Sequence, residues 1–211
     1  MQHQKTTPNK FIIVCVFAFS YVLFILFWIS IKNGYGHFIA KTATFIAYQT
    51  KDIRLVSFAT DGESSIITIA PGRFNAIEEL TIDVKVSGFT FNTPLTFAIV
   101  AAFYPIILSI SKCDEAAAHL PTGRFSKFSQ FLVNASGILI IIHLLYIYSL
   151  IGFRADELMV ARGYKNPDNI GFIFMQFLWL IADNMLIRFE PFIIGMYLYL
   201  KLKAIHVKIS G

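Results

Sequence analysis

Six polar side chains stand inside stretches otherwise too apolar to hold them. They are His143, and then Gln176, Asp183, Asn184, Arg188 and Glu190 along one apolar run near the C-terminal end. A charge near the centre of a bilayer costs about 2.5–3.5 kcal/mol on insertion scales, so such a group must face a partner or water. Gln176, Asp183 and Glu190 recur every seven residues, which on a regular helix returns to one face within about 20° per step. Asn184 and Arg188, four apart, share another face. Arg188 and Glu190 point nearly opposite ways and pair within the helix only if Pro191 distorts it, by removing a backbone donor and crowding the preceding turn. Two chemistries fit: a proton or ion relay or peptide-engaging site, or helix packing with Arg188 as counter-charge to Asp183 and Glu190. Packing is the expectation, because one charged helix alone is thin support for a conduction path. His143 has Ser136 one heptad before it and Tyr146 three residues after. It is expected as a neutral hydrogen-bond partner of Glu190 or Asp183, since no second His or Cys stands near it at helical ligand spacing.

Cys113 and His119 suggest a nucleophile and its base. A six-residue helical spacing leaves them about 120° from facing each other, with no orienting third group or oxyanion motif. They are expected to be solvated loop residues. Cys15 lies in an apolar run and reads as a small apolar side chain, and the two cysteines match no metal or redox spacing. Asn134-Ala135-Ser136 has the form of a glycosylation triplet but falls inside an apolar run. No phosphate-cradling Gly-rich loop, metalloprotease His pair or nucleotide fingerprint is present. The expectation is a non-enzymatic chain with no catalytic, cofactor-binding or metal-binding residues and no cofactor.

The elements that must position these residues follow from composition. Of 211 residues, 56% are hydrophobic and 15% charged, with 22 Phe, 9 Tyr and 2 Trp, against about 45–50% and 25% in soluble domains. Too little polar surface exists to coat a water-exposed globule, and the net charge of +5 is spread along the chain, unlike a nucleic-acid-binding face. The fold class expected is an α-helical integral membrane protein of about four transmembrane helices. A small extracytoplasmic antiparallel β segment is expected between spans 1 and 2.

After a tail of residues 1–10, residues 11–31 form the first span, bracketed by Lys10 and Lys32 and long enough for a core of about 30 Å. Its length and its poor cleavage site favour an uncleaved anchor over a signal peptide. Asn33-Gly34-Tyr35-Gly36 is expected to break or bend the helix. Residues 37–49 then suit a short amphipathic helix at the membrane surface, or a helical lead into the next region, within a juxtamembrane segment 32–51. Residues 52–91 read as sheet: 53–60 and 64–70 are β-branched runs around Asp61-Gly62-Glu63, a hairpin signal. Residues 80–87 alternate apolar and polar like a half-buried strand, and Gly88 bulges or ends it. Further spans are expected at 92–111, 131–153 and 171–200, with connectors at 112–130 and 154–170 and a tail at 201–211. The last run, too long for a straight crossing, must protrude, tilt or break near Pro191. Counting Lys and Arg in short flanks gives eight on the side of the N-terminus and three opposite. Both termini are therefore expected in the cytoplasm with the sheet outside.

This plan, with Phe91-Asn92-Thr93-Pro94-Leu95 before the second span and Phe189-Glu190-Pro191-Phe192 in the last, resembles the exosortase H-associated membrane proteins. The resemblance covers most of the chain as an architecture. It implies a bacterial inner-membrane accessory subunit of an exosortase-type protein sorting system. It implies as partners the lipid bilayer and another membrane protein, an exosortase-like transpeptidase, with no nucleic acid. The transpeptidase uses a Cys, an Arg and a His near the outer membrane face, a set this chain does not offer, so the resemblance carries over no site residues. The alternative is a small transporter or channel subunit with Asp183, Glu190 and His143 lining a polar path.

Overall fold

The structure, a computed structural model, describes residues 10–72, 79–106 and 123–210. Helix α1 (Lys10–Thr50) precedes strands β1 (Ile53–Asp61), β2 (Ser64–Pro71) and β3 (Leu80–Lys85). Helices α2 (Val86–Thr90), α3 (Thr93–Ala102), α4 (Gly123–Ala161) and α5 (Ile170–Ile181) follow, then a π-helical turn (Ala182–Leu186) and α6 (Ile187–Ser210). Four helical stretches are long and apolar enough to cross a membrane: Lys10–Thr50, Val86–Ile106, Phe128–Ala161 and Ile170–Ala204.

Several boundaries differ from those expected, each for a physical reason. Residues 33–36 do not break α1, whose helix is continuous through them. Gly36 serves close packing instead, since a Cβ there would lie 2.3 Å from Val86 Cγ1, while Gly34 has open space around it. The continuous helix is the second of the two readings for residues 37–49. Its buried stripe consists of Ile39, Ala40, Ala43, Thr44 and Ala47, whereas the larger Phe38, Phe45, Ile46 and Tyr48 face outward. Helix α4 continues through Arg154 to Ala161, so the first half of the expected connector 154–170 is helical. Gly163, at φ +73°, then turns the chain out of it. Strand β3 ends at Lys85 because Val86 begins a helical turn containing Gly88, so helix replaces the end of the expected β segment. The last run is one unbroken helical stretch, with Pro191 inside α6 and its irregularity one turn earlier, in the π turn.

The chain divides into two compact units, one of Met1–Trp28, Thr93–Leu139 and Glu190–Gly211, the other of Ile29–Asn92 and Ile140–Phe189. In the first, Phe131, Ala135 and Leu139 on α4 and Ile194, Leu198 and Leu202 on α6 close around Val100. Both ladders step by four residues, the spacing that lets one helix's ridges seat in another's grooves. Asn134 Nδ2 donates to the Tyr197 hydroxyl at 2.9 Å. Phe11, Phe19 and Phe192 are each about 70% exposed, the reverse of a soluble protein's economy.

The second unit holds the sheet, an antiparallel meander in the order β1-β2-β3. Asp61 pairs with Ser64 across the turn, and Gly62 takes φ +55°, which fits a two-residue loop led by glycine. In β3, Ile82 and Val84 are buried while Thr81, Asp83 and Lys85 are exposed, the alternation a half-buried strand requires. On α4, His143, Ile147 and Ile151 are fully buried at four-residue steps. Gly152 leaves room for Met175, and Phe153 stacks on Phe172 and Trp179.

Candidate functional site

Pro191 sets the local structure of the last helical run. It has no N–H to offer the carbonyl four residues back, that of Ile187. Within the second unit, Asn92 Nδ2 donates to that carbonyl at 2.9 Å and to the Arg188 carbonyl at 3.3 Å. One turn earlier the backbone N–H of Ile187 bonds the Ala182 carbonyl, five residues away, so the π turn carries one residue more than an α turn.

The extra residue falls between Asp183 and Glu190 and takes that step off the expected heptad face, because a seven-residue spacing keeps one face only on a regular helix. Gln176 is exposed, Asp183 half-buried and Glu190 fully buried. Asn184 and Arg188 are both exposed, and Asn184 Nδ2 returns to the Leu180 carbonyl at 3.1 Å. Arg188, expected as the counter-charge, contributes its backbone carbonyl to Asn92 and makes no ion pair among the described residues. Each carboxylate is met instead by a hydroxyl.

In the first unit, Thr96 Oγ1 donates to Glu190 Oε1 at 3.0 Å, and both side chains are buried. Thr93, one turn before on α3, buries a hydroxyl that has no hydrogen-bond partner among the described residues. In the second unit, the Tyr146 hydroxyl donates to Asp183. His143 shares a 2.8 Å hydrogen bond between Nδ1 and the Tyr35 hydroxyl. Where Glu190 or Asp183 is the expected partner of His143, its Nδ1 meets the Tyr35 hydroxyl, and Asp183 meets the Tyr146 hydroxyl. Phe89 lies edge-on to His143 at 5.4 Å and stacks on Tyr146 at 6.0 Å, setting an apolar ring against both.

Sequence reasoning missed Tyr35, Thr96 and Asn92. Nothing local marks Tyr35 or Thr96, whose partners lie 108 and 94 positions away. For Asn92 a signal existed, since Pro191 orphans a carbonyl that buried structure must satisfy. A second set of polar contacts ties the hairpin to α1. Lys32 pairs with Glu63, while His37 bonds Ser65 Oγ at 2.8 Å and the Gly62 carbonyl at 3.1 Å. The hydrogen bond from Lys32, that from Ser87 and the Lys32 charge hold the Glu63 carboxyl below its ordinary value. At the end of α4, Lys165 Nζ reaches the buried Asp156 at 2.6 Å.

These pairs join acids and an imidazole to hydroxyls, an arrangement that fixes helices against one another. Among the described residues no three His, Cys, Asp or Glu side chains gather where a metal ion would need them. Cys113 and His119 lie outside the described residues, and Cys15 is exposed on α1. Comparison with protein-family models, curated proteins and solved structures finds no match to this chain.

Proposed function

We propose that this chain is a non-enzymatic, multi-pass accessory subunit of the bacterial inner membrane, with both termini cytoplasmic and the sheet outside. The observation that carries the reading is how the polar groups of the apolar helices are used. Glu190 meets Thr96, Asp183 meets Tyr146 and His143 meets Tyr35. Groups held in this way join helices and are not arrayed around a reacting atom. The outward-facing Phe side chains of the first unit suit lipid, and the three-stranded sheet, in a segment of about forty residues that is marginal for stability on its own, offers a surface for a second membrane protein. The architectural resemblance supports an exosortase-like transpeptidase as that protein and protein sorting as the process.

The test is purification of the chain from its native membrane in mild detergent. The reading expects a companion membrane protein at fixed stoichiometry. A strictly monomeric particle without a companion contradicts it.

A further inference from the structure

Within the second unit, a groove of about 520 Å³ runs between β3 and the end of α4. That volume lies in the range of sites that take a ligand. The two walls differ in kind. From β3, all four of residues 80–83 line it. A strand presents alternate residues on a face, so four consecutive ones mean that the groove follows the strand's edge, where backbone N–H and C=O groups lie. The order β1-β2-β3 leaves that edge without a neighbouring strand among the described residues. From α4 come Leu150, Arg154, Glu157, Leu158 and Ala161, spaced as one face of a helix.

A free strand edge facing a helix across a slot is the geometry in which an extended peptide adds as a further strand. The charges select among peptides. Arg154 and Glu157 close on each other at 2.8 Å. Asp83 is exposed and makes no ion pair among the described residues, so the groove keeps one unmatched negative charge. We infer that the β3–α4 groove binds an extended, basic polypeptide segment by strand addition to β3, with a Lys or Arg side chain against Asp83. The occupant's main chain bonds the strand edge, and its side chains alternate between the groove and solvent. This deepens the accessory reading by naming what a partner offers, and rests on that reading only for the partner's existence.

The test uses the full chain in detergent and a labelled, acetylated hexapeptide alternating Thr with Lys. Fluorescence anisotropy should show saturable binding. Replacing Lys by Glu in the peptide should abolish it, and Asp83→Asn should weaken it about threefold, as an exposed charge pair warrants. N-methylation of alternate peptide residues should weaken binding about tenfold in one phase and little in the other, because only alternate N–H groups reach a partner strand. Ala161→Trp, on an exposed helix position, should block the slot and remove binding while leaving thermal stability unchanged. No binding up to about 1 mM peptide, equal binding of the Glu peptide, or equal effects of the two N-methylation phases overturns the inference. So does a parent dimer that Ala161→Trp makes monomeric, which assigns the groove to a second copy. A negative peptide result beside a positive co-purification removes the groove and keeps the accessory reading, and the reverse pair of results removes the accessory reading alone.

Discussion

On either side of Leu186 the last helical run treats two carboxylates differently. Glu190 has no exposed surface and accepts a hydrogen bond from the hydroxyl of Thr96, a short side chain on α3. Asp183 is half-buried in the π turn and takes its hydrogen bond from the longer Tyr146 on α4. A fully enclosed acid depends on a fixed neighbour, because water cannot replace a lost bond. A half-exposed acid can recover one. The same contrast recurs along α1, where Gly36 is pressed against Val86 and Gly34 faces open space.

The largest expected effect breaks the first comparison. Glu190→Ala should cost about 2–4 kcal/mol of stability, from the void and the stranded Thr96 hydroxyl, while Asp183→Ala should cost under about 1 kcal/mol. Thermal unfolding in detergent measures both, and equal losses would erase the distinction between enclosed and accessible acids. Next come the glycines. Gly36→Ala should destabilise by about 1–3 kcal/mol through overpacking and recover when combined with Val86→Ala. Gly34→Ala should be neutral or stabilising by up to about 1 kcal/mol, as alanine favours helix. A neutral Gly36→Ala would refute the close approach of Val86.

A smaller effect tests the carbonyl freed by Pro191. Asn92→Ala should cost about 1 kcal/mol, and less in a Pro191→Ala background, where residue 191 regains its N–H and can bond Ile187. A double-mutant cycle reads the coupling, and additive losses would deny the link. The smallest effect concerns Glu63. Its folded carboxyl is held below the ordinary glutamate value by Lys32 and Ser87, so its stabilising contribution is complete above that value. The contribution disappears as pH falls through the lowered folded value. Amide exchange in β1 and β2 should therefore speed up in acid relative to neutral pH, and by less in Lys32→Met. Because this group is surface-exposed, salt should shrink the difference.

How much of this was legible in the sequence depends on the range of the interaction. The hairpin around Asp61-Gly62-Glu63 and the alternation in β3 are decided by neighbours two residues apart, and both stand where the pattern put them, save that β3 ends at Lys85. The four long apolar helices follow from composition in the same way. What failed depends on tertiary packing. Asn33-Gly34-Tyr35-Gly36 looks like a break until Val86 is seen to occupy the space a Cβ would need. The heptad of Gln176, Asp183 and Glu190 holds until one π turn shifts the register. Of the site, His143, Asp183 and Glu190 were visible as polar groups in apolar surroundings, but their hydroxyl partners on distant helices were not.

The claim that the buried polar groups hold the chain together, and do not conduct, is tested most directly by proton flux. The purified chain in liposomes under a pH gradient, with a lumenal pH dye, should leak no faster than empty vesicles, and Glu190→Gln should leave that rate unchanged. A flux well above empty vesicles that disappears in Glu190→Gln would contradict the account and make the last helix a proton path.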